Sequence, residues 1–485
     1  MGFWVCATGS GDAVESGTLL IEFQVIPLLR RRRYECQAPS CAFWGSDKWS
    51  DVTLTCPIVH GSPVDTSDDR RVPIHDEQFR RDPHAVYRAL RQQYGTLAPV
   101  ELAPGVPATL VLGYHTAVRI LHDPEHFPAD PRYWQQAIPG DCSLRPMMEW
   151  HPAARYTTGP EHTRYRQPSV AAIERVDLHA MHARIERLAG PLIATFRPVG
   201  NADLVSQYAY PLVFSVLTEL IAGADESHSG KIDHQVAAGT AARFDSDATA
   251  QIGVNTLTEA LAELVSLKRD QLGDDITSWL IQHPARLDDH EVIAQLMSFY
   301  GAGLEAVPDL ICNALRLMCT DDRFGGSLLG GSLQTRDALD EVLFKDPPMA
   351  NFSITYPRQP VFVDSTWLPA HQPVVISIAA CNNDPAISTD DVDLSGNRSH
   401  LAFGTGPHAC PARNAAYLIA QDAIDYLLDL IPDIQLAVPT EELQYRPGPF
   451  HRSLAALPVV FPPDNRYAPP PPQRAEFPTF PWTRG

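Results

Sequence analysis

A chain of 485 residues, 44% hydrophobic and 20% charged, has the apolar mass for one large domain or two to three ordinary ones, which excludes wholesale disorder. Its 38 Lys+Arg against 58 Asp+Glu leave −20 at pH 7, a field that repels a phosphate backbone, and no local basic face offsets it, so no nucleic-acid partner is expected. The 44 prolines argue against a sheet-rich core and for broken helices and stiff loops.

No stretch approaches the ~20 apolar residues of a membrane-spanning helix. The nine cysteines are odd in number and scattered, unlike a secreted disulfide framework. A cytoplasmic protein with no membrane attachment is expected.

Residues 1–72 show no sustained period and hold four of the cysteines. Cys36, Cys41, Cys56 and His60 could supply four zinc donors, but their spacing matches no common finger, and a poorly ordered extension is the simpler expectation. From 73 the pattern sharpens. Pro83 to Tyr94 reads as a helix closed by Gly95, and Val100–Leu102 and Ala108–Leu112 as strands around the turn Pro104-Gly105. Tyr114 to His122 is helical again, and Ala202 to Ala222 is a long apolar helix stopped by Gly223. Asp288 to Met318 forms another, opened by the capping box Asp288-x-x-Glu291. Short strands cluster between Val361 and Ile378, and a last helix is expected from Pro411 to Ile431. Residues 464–485 form a Pro-rich tail, which leaves 73–463 as the folded domain, mainly α with a small β region.

No phosphate loop, serine-nucleophile elbow, His-Glu-x-x-His or Cys-x-x-Cys-His motif is present, and Gly404-Thr-Gly406 lacks the third glycine of a dinucleotide fingerprint. One segment stands out, His400-Leu-Ala-Phe403-Gly404-Thr-Gly406-Pro-His408-Ala-Cys410-Pro-Ala412-Arg413. Glycine-permitted turns hold Cys410 at the entry to a helix, with Pro411 at its first position. Unpaired N–H groups and the helix dipole would favour a thiolate there.

This segment resembles the haem loop of the cytochrome P450 family, Phe-x-x-Gly-x-x-x-Cys-x-Gly, with Phe403, Gly406 and Cys410 in register and Ala412 for the last glycine. The resemblance runs from about Pro73 to Pro463. Gly159-Pro-Glu-His162-Thr-Arg-Tyr-Arg166 looks like the helix that crosses the haem edge, with His162 and Arg166 on one face. Asp384-Pro385 and Phe450-His-Arg452 also match in order. The resemblance implies the family's triangular prism enclosing haem b, with Cys410 as axial thiolate to the iron and His162, Arg166 and His408 on the propionates. It also implies that Gly404, Gly406, Phe403 and Ala412 line the cofactor, as do Ala302 and Gly303 on the long helix. The implied activity is monooxygenation of a small organic substrate. With no flavin or nicotinamide motif, the chain would take electrons from a ferredoxin and its reductase, docked near Arg166, Arg398 and Arg413.

Two departures matter. In Asp340-Glu341-Val-Leu-Phe344-Lys345, Phe344 stands where the family's Glu-x-x-Arg has arginine, and Asp390 to Leu394 carries no basic residue. Glu341 is thus expected to lack its ion-pair partners, since Lys345 points about 100° away from position 344; a bacterial subset of the family is similar in lacking this motif. A propionate arginine is also missing near Thr355, with Arg358 a candidate substitute. In Gly301-Ala302-Gly303-Leu304-Glu305-Ala306-Val307-Pro308 the acid that relays protons is kept as Glu305, while Ala306 replaces the usual threonine. Pro308 is expected to open the helix into a groove. Two alternatives remain: a haem protein that uses peroxide or lacks productive monooxygenation, and a non-catalytic partner protein.

Overall fold

The computed structural model describes residues 71–138, 140, 142–223, 250–325, 333–387 and 397–464. The candidate zinc donors, the extension up to 70, Asp390–Leu394 and the tail beyond 464 lie outside them.

Local signals set the element ends. Helix Pro83–Tyr94 starts where Asp82 accepts from the Ala85 N–H and stops at Gly95, whose φ is 79°. The longest helix, Asp289–Thr320, carries the full capping box of Asp288 and Glu291. At 1.5 Å per residue it spans about 48 Å. It packs against helices Tyr210–Ala222, Ala250–Asp270, Thr335–Lys345 and Arg413–Leu430.

This helix passes through Pro308 without a break, correcting the expected groove. A mid-helix proline costs ~3 kcal/mol. Val307, Leu310, Ile311, Ala314 and Leu315 are all buried around it, and each large one contributes ~1.5–3 kcal/mol on burial. Packing wins. Pro168 and Pro191 likewise sit inside intact helices, Gly159–Glu174 and Met181–Phe196.

Two further boundaries differ from expectation. The segment expected as one helix over Ala202–Ala222 is a strand, Asn201–Asp203, a wide π-helical turn, Val205–Ala209, and the α-helix Tyr210–Ala222. Strand 201–203 pairs antiparallel with Pro458–Val460, a partner that local periodicity does not reveal. The last helix begins at Arg413 rather than Pro411, with Ala412 as its cap.

The main sheet has five strands in the order Val72–Pro73, Leu97–Glu101, Pro107–Val111, Val374–Ile376, Ser353–Thr355. Leu97 faces Val111 and Val100 faces Ala108 across its antiparallel hairpin, and Pro107–Val111 runs parallel to Val374–Ile376. A separate hairpin, Val361–Val363 with Thr366–Leu368, turns through Asp364 and Ser365, both at positive φ. The larger apolar core lies among the helices and a second one lies against the main sheet. The architecture is mainly α with a small β region. Among the described residues no helix is long and apolar enough to cross a membrane.

Glu341 is not without partners, which corrects the expectation from its motif. Arg323 donates to both of its carboxylate oxygens at 2.8 and 3.0 Å, and Lys345 Nζ reaches it at 2.8 Å. Lys345 cannot occupy the place of residue 344, but it lies four residues beyond Glu341 and so crosses one turn to meet it. Phe344 itself is 1% exposed.

Candidate haem-thiolate site

The cysteine loop is shaped by two glycines. Gly404 and Gly406 have φ of 64° and 72°. A Cβ on Gly406 would lie 2.4 Å from the Leu121 carbonyl oxygen, a backbone atom that cannot yield, so the loop requires glycine there. The Cys410 N–H donates to the Phe403 carbonyl at 2.8 Å, and the Gly404 N–H to Leu401 at 2.8 Å, which curls the loop. Arg166 donates from helix Gly159–Glu174 to the Ala409 carbonyl and ties that helix to the loop. Beneath, the Arg413 guanidinium covers the Phe403 ring at 5.1 Å and Tyr417 packs on it at 5.5 Å.

Cys410 is exposed, whereas Cys312 and Cys381 are buried. Its thiol is open to solvent but recessed. Protein surrounding it at longer range pushes its pKa upward, against the Ala412 backbone N–H, Arg166 and Arg413, which pull it down. Burial thus opposes the thiolate expected from a helix start, and the helix itself begins three residues later, at Arg413. A bound metal is what would enforce deprotonation.

His162 and His408 meet with ring centroids 4.3 Å apart, and Arg166 lies one turn along from His162. Burial, then Arg166, lowers the His162 pKa. Burial, then His162 and Arg166, lowers that of His408 to about 4. His162 Nε2 is buried with no hydrogen-bond partner among the described residues, a group that an incoming acceptor would satisfy. For both histidines the unfolded chain takes up protons that the folded chain refuses. Stability of the ligand-free protein should thus fall as pH drops from 6.5 towards about 4. His408→Gln should make that loss shallower in thermal melts across the window.

On the long helix Ala302 is exposed, although Gly301, Leu304 and Glu305 around it are buried. Ala306, one turn on, is partly open, so the two alanines share a face that borders empty space. Gly303 turns instead towards helix Tyr210–Ala222, where a Cβ would meet Leu217 Cδ1 at 2.6 Å. Glu305 points into the protein, its Oε2 3.5 Å from Arg446 Nη1. Thr355 is buried, its hydroxyl without a partner among the described residues, and Arg358 turns to Asp130 at 3.8 Å.

The structure thus gathers His162, Arg166, His408 and the Phe403–Ala412 loop, and sets Ala302 and Ala306 on an open face. Gly303 and Glu305 face other parts of the protein. The donor set fits a haem: one accessible thiol on a glycine-shaped loop, small residues on a facing helix, and an arginine with two histidines for carboxylates. The sequence alone does not reveal Arg446 beside Glu305, or Asp309 one turn on with Tyr210 and Ser453 on it; an acid four residues after Glu305 on an otherwise apolar helix was the available signal.

No family model matches the chain. It is similar to the cytochrome P450 monooxygenase PikC of Streptomyces venezuelae, 28% identical over 396 residues, covering 79% of this chain and 92% of that protein. It is 27% identical to cytochrome P450 107B1 of Saccharopolyspora erythraea over 401 residues, 79% of this chain and 96% of the relative. Among solved structures, CYP154C4 from Streptomyces sp. W2061 superposes with a TM-score of 0.71 at 27% identity, covering 80% of this chain and 97% of that one. CYP154A1 from Streptomyces coelicolor A3(2) gives 0.70 at 25% identity, covering 79% and 98%.

Fold and relatives together place the chain in the class of bacterial cytochrome P450s, oxidoreductases built on a cysteine-ligated haem b.

Proposed function

We propose that the chain is a haem-thiolate monooxygenase whose haem domain spans 73–463, with Cys410 as the ligand to iron. The observation that carries this reading is the exposed Cys410 thiol on a loop whose backbone Gly406 and Arg166 fix, beside the buried His162 and the partly buried His408 that packs on it. When bound, the haem supplies activation of O2 and transfer of one oxygen atom.

The residues supply the rest. Arg166 keeps the Ala409 carbonyl in place and, having five N–H donors, can also hold a propionate. His162 and His408 donate to the propionates, whose charge favours protonated imidazoles. Phe403, Gly404, Gly406 and Ala412 shape the thiolate side, while Ala302 and Ala306 leave room opposite. Glu305, a carboxylate beside Arg446 at rest, takes up a proton and turns to pass it towards the face of Ala306.

The substrate is a small organic molecule. Relatives are named for hydroxylating 2-hydroxy-5-methyl-1-naphthoate, vitamin D(3) and 6-deoxyerythronolide B, and carbon hydroxylation is the reaction carried over. Electrons come from a ferredoxin and its reductase. Arg398 and Arg413 are exposed near the cysteine loop and offer the cationic contact, whereas Arg166 is half-buried and turned inward.

A second reading has one observation in its favour: Ala306 lacks the hydroxyl that would hold a proton-delivering water. On that reading the protein binds haem without productive monooxygenation. The test is product formed per NADPH consumed, with a surrogate ferredoxin system and a substrate found by its high-spin shift of the haem spectrum. Poorly coupled turnover is expected, with Ala306→Thr raising product per NADPH severalfold and Glu305→Gln lowering it. Flat coupling in both variants would favour the second reading.

A further inference from the structure

Asp309 lies one turn beyond Glu305 on the long helix and is 1% exposed. Its two contacts are hydroxyls. Ser453 donates to one carboxyl oxygen, and Tyr210 donates to the other at 3.3 Å. Among the described residues no lysine or arginine makes an ion pair with it. The neighbouring cation, Arg446, is 7% exposed and is directed to Glu305 Oε2 at 3.5 Å and to the Tyr210 hydroxyl at 3.1 Å.

Among the described residues, the other titratable groups around it add no second cation. Burial holds the Tyr210 phenol and the Cys312 thiol well above their ordinary values, so both stay neutral. Burial, then Arg446, lowers His451 to about 3, which keeps it neutral as well. Burial first, then the Glu305 charge, pushes the Asp309 carboxyl well above the usual carboxylate range, against Arg446, Ser453 and Tyr210.

We propose that Asp309 is a neutral carboxylic acid in the resting protein and acts as a proton reserve for Glu305. Residues four apart on a helix bring their Cβ atoms within about 5–6 Å, so one water or a rotamer change connects the two carboxyls. The transfer is balanced. The proton leaves the Asp309 carboxyl and arrives on the Glu305 carboxylate, the charge moves to Asp309, and solvent later returns the proton. The Ser453 and Tyr210 hydroxyls already point at Asp309 and would stabilise its transient anion. Asp309 is thus a positioning residue that works through Glu305, standing in for the missing hydroxyl at Ala306. This rests on the proton-relay role proposed for Glu305.

Infrared spectroscopy of the full-length chain tests the neutral acid independently of turnover. The C=O stretch of a protonated carboxyl should be present at neutral pH, shift when aspartate carries heavy carbon at its carboxyl, and vanish in Asp309→Asn. In Glu305→Gln the neighbouring charge is gone, and the band should titrate away at lower pH. An ionised aspartate would give no such band. Absence of a protonated aspartate band in the labelled wild type, its survival in Asp309→Asn, or an unmoved midpoint in Glu305→Gln overturns the neutral acid. The supply role is read from product per NADPH, which Asp309→Asn should lower most at alkaline pH, where protons are scarce. Unchanged coupling with the band lost would overturn the supply role. A wild type that binds haem but never turns over would defeat the monooxygenase reading and this supply role, and leave the infrared result standing.

Discussion

Phe344→Arg should cost on the order of 3 kcal/mol of folding stability, the usual scale for a buried charge without a full set of partners. Phe344 is 1% exposed on helix Thr335–Lys345, with Leu339, Val342 and Leu343 also buried there. The acid that would receive the new guanidinium, Glu341, is already engaged by Arg323 and Lys345, whose side chains are about half exposed and thus hold their charges in water. Asp340 is likewise occupied, by the Tyr417 hydroxyl and by Arg398 at 3.4 Å. Apolar packing at 344 plus two surface cations on Glu341 is a self-consistent arrangement. An arginine would displace one of those cations and lose the ring's burial at once. The midpoint of denaturant unfolding measures this. An unchanged or higher midpoint would mean that the site still accommodates arginine and that Lys345 is a replaceable substitute.

Much of the scaffold was legible because its signals are local. Asp288 with Glu291 announces the long helix, Gly95 ends helix Pro83–Tyr94, and the turn at Pro104-Gly105 marks the hairpin. The cysteine loop was legible for the same reason, since loop, ligand and helix entry occupy fourteen consecutive positions from His400 to Arg413. What failed depends on tertiary packing. Pro308 reads as a break because propensity sees the lost N–H but not the buried neighbours that outweigh it. The strand at Asn201–Asp203 exists because Pro458–Val460 pairs with it, more than 250 residues away. Arg323 reaches Glu341 from outside its helix, so no spacing rule finds it. The Arg446 contact on Glu305 and the Tyr210 and Ser453 hydroxyls on Asp309 likewise come from positions distant in the chain.

Loss of thiolate ligation in Cys410→Ala is the other large effect, and it should be complete. Among the described residues Cys410 is the exposed cysteine. Cys142 and Cys319 are partly covered, Cys312 and Cys381 are buried, and burial raises the thiol pKa of Cys312, Cys319 and Cys381. None of these is placed to replace it. Alanine keeps the loop's backbone bonds, Cys410 N–H to Phe403 included, so the variant should remain folded with His162, Arg166 and His408 in place. Any haem it retains would then lack sulfur ligation.

The direct measurement is the absorption spectrum of the reduced, CO-bound full-length protein beside that of Cys410→Ala. The expected result is the red-shifted Soret band of thiolate coordination in the wild type and its absence in the variant. The same red-shifted band persisting in Cys410→Ala, or no such band in the haem-loaded wild type, would contradict the assignment of Cys410 as the ligand.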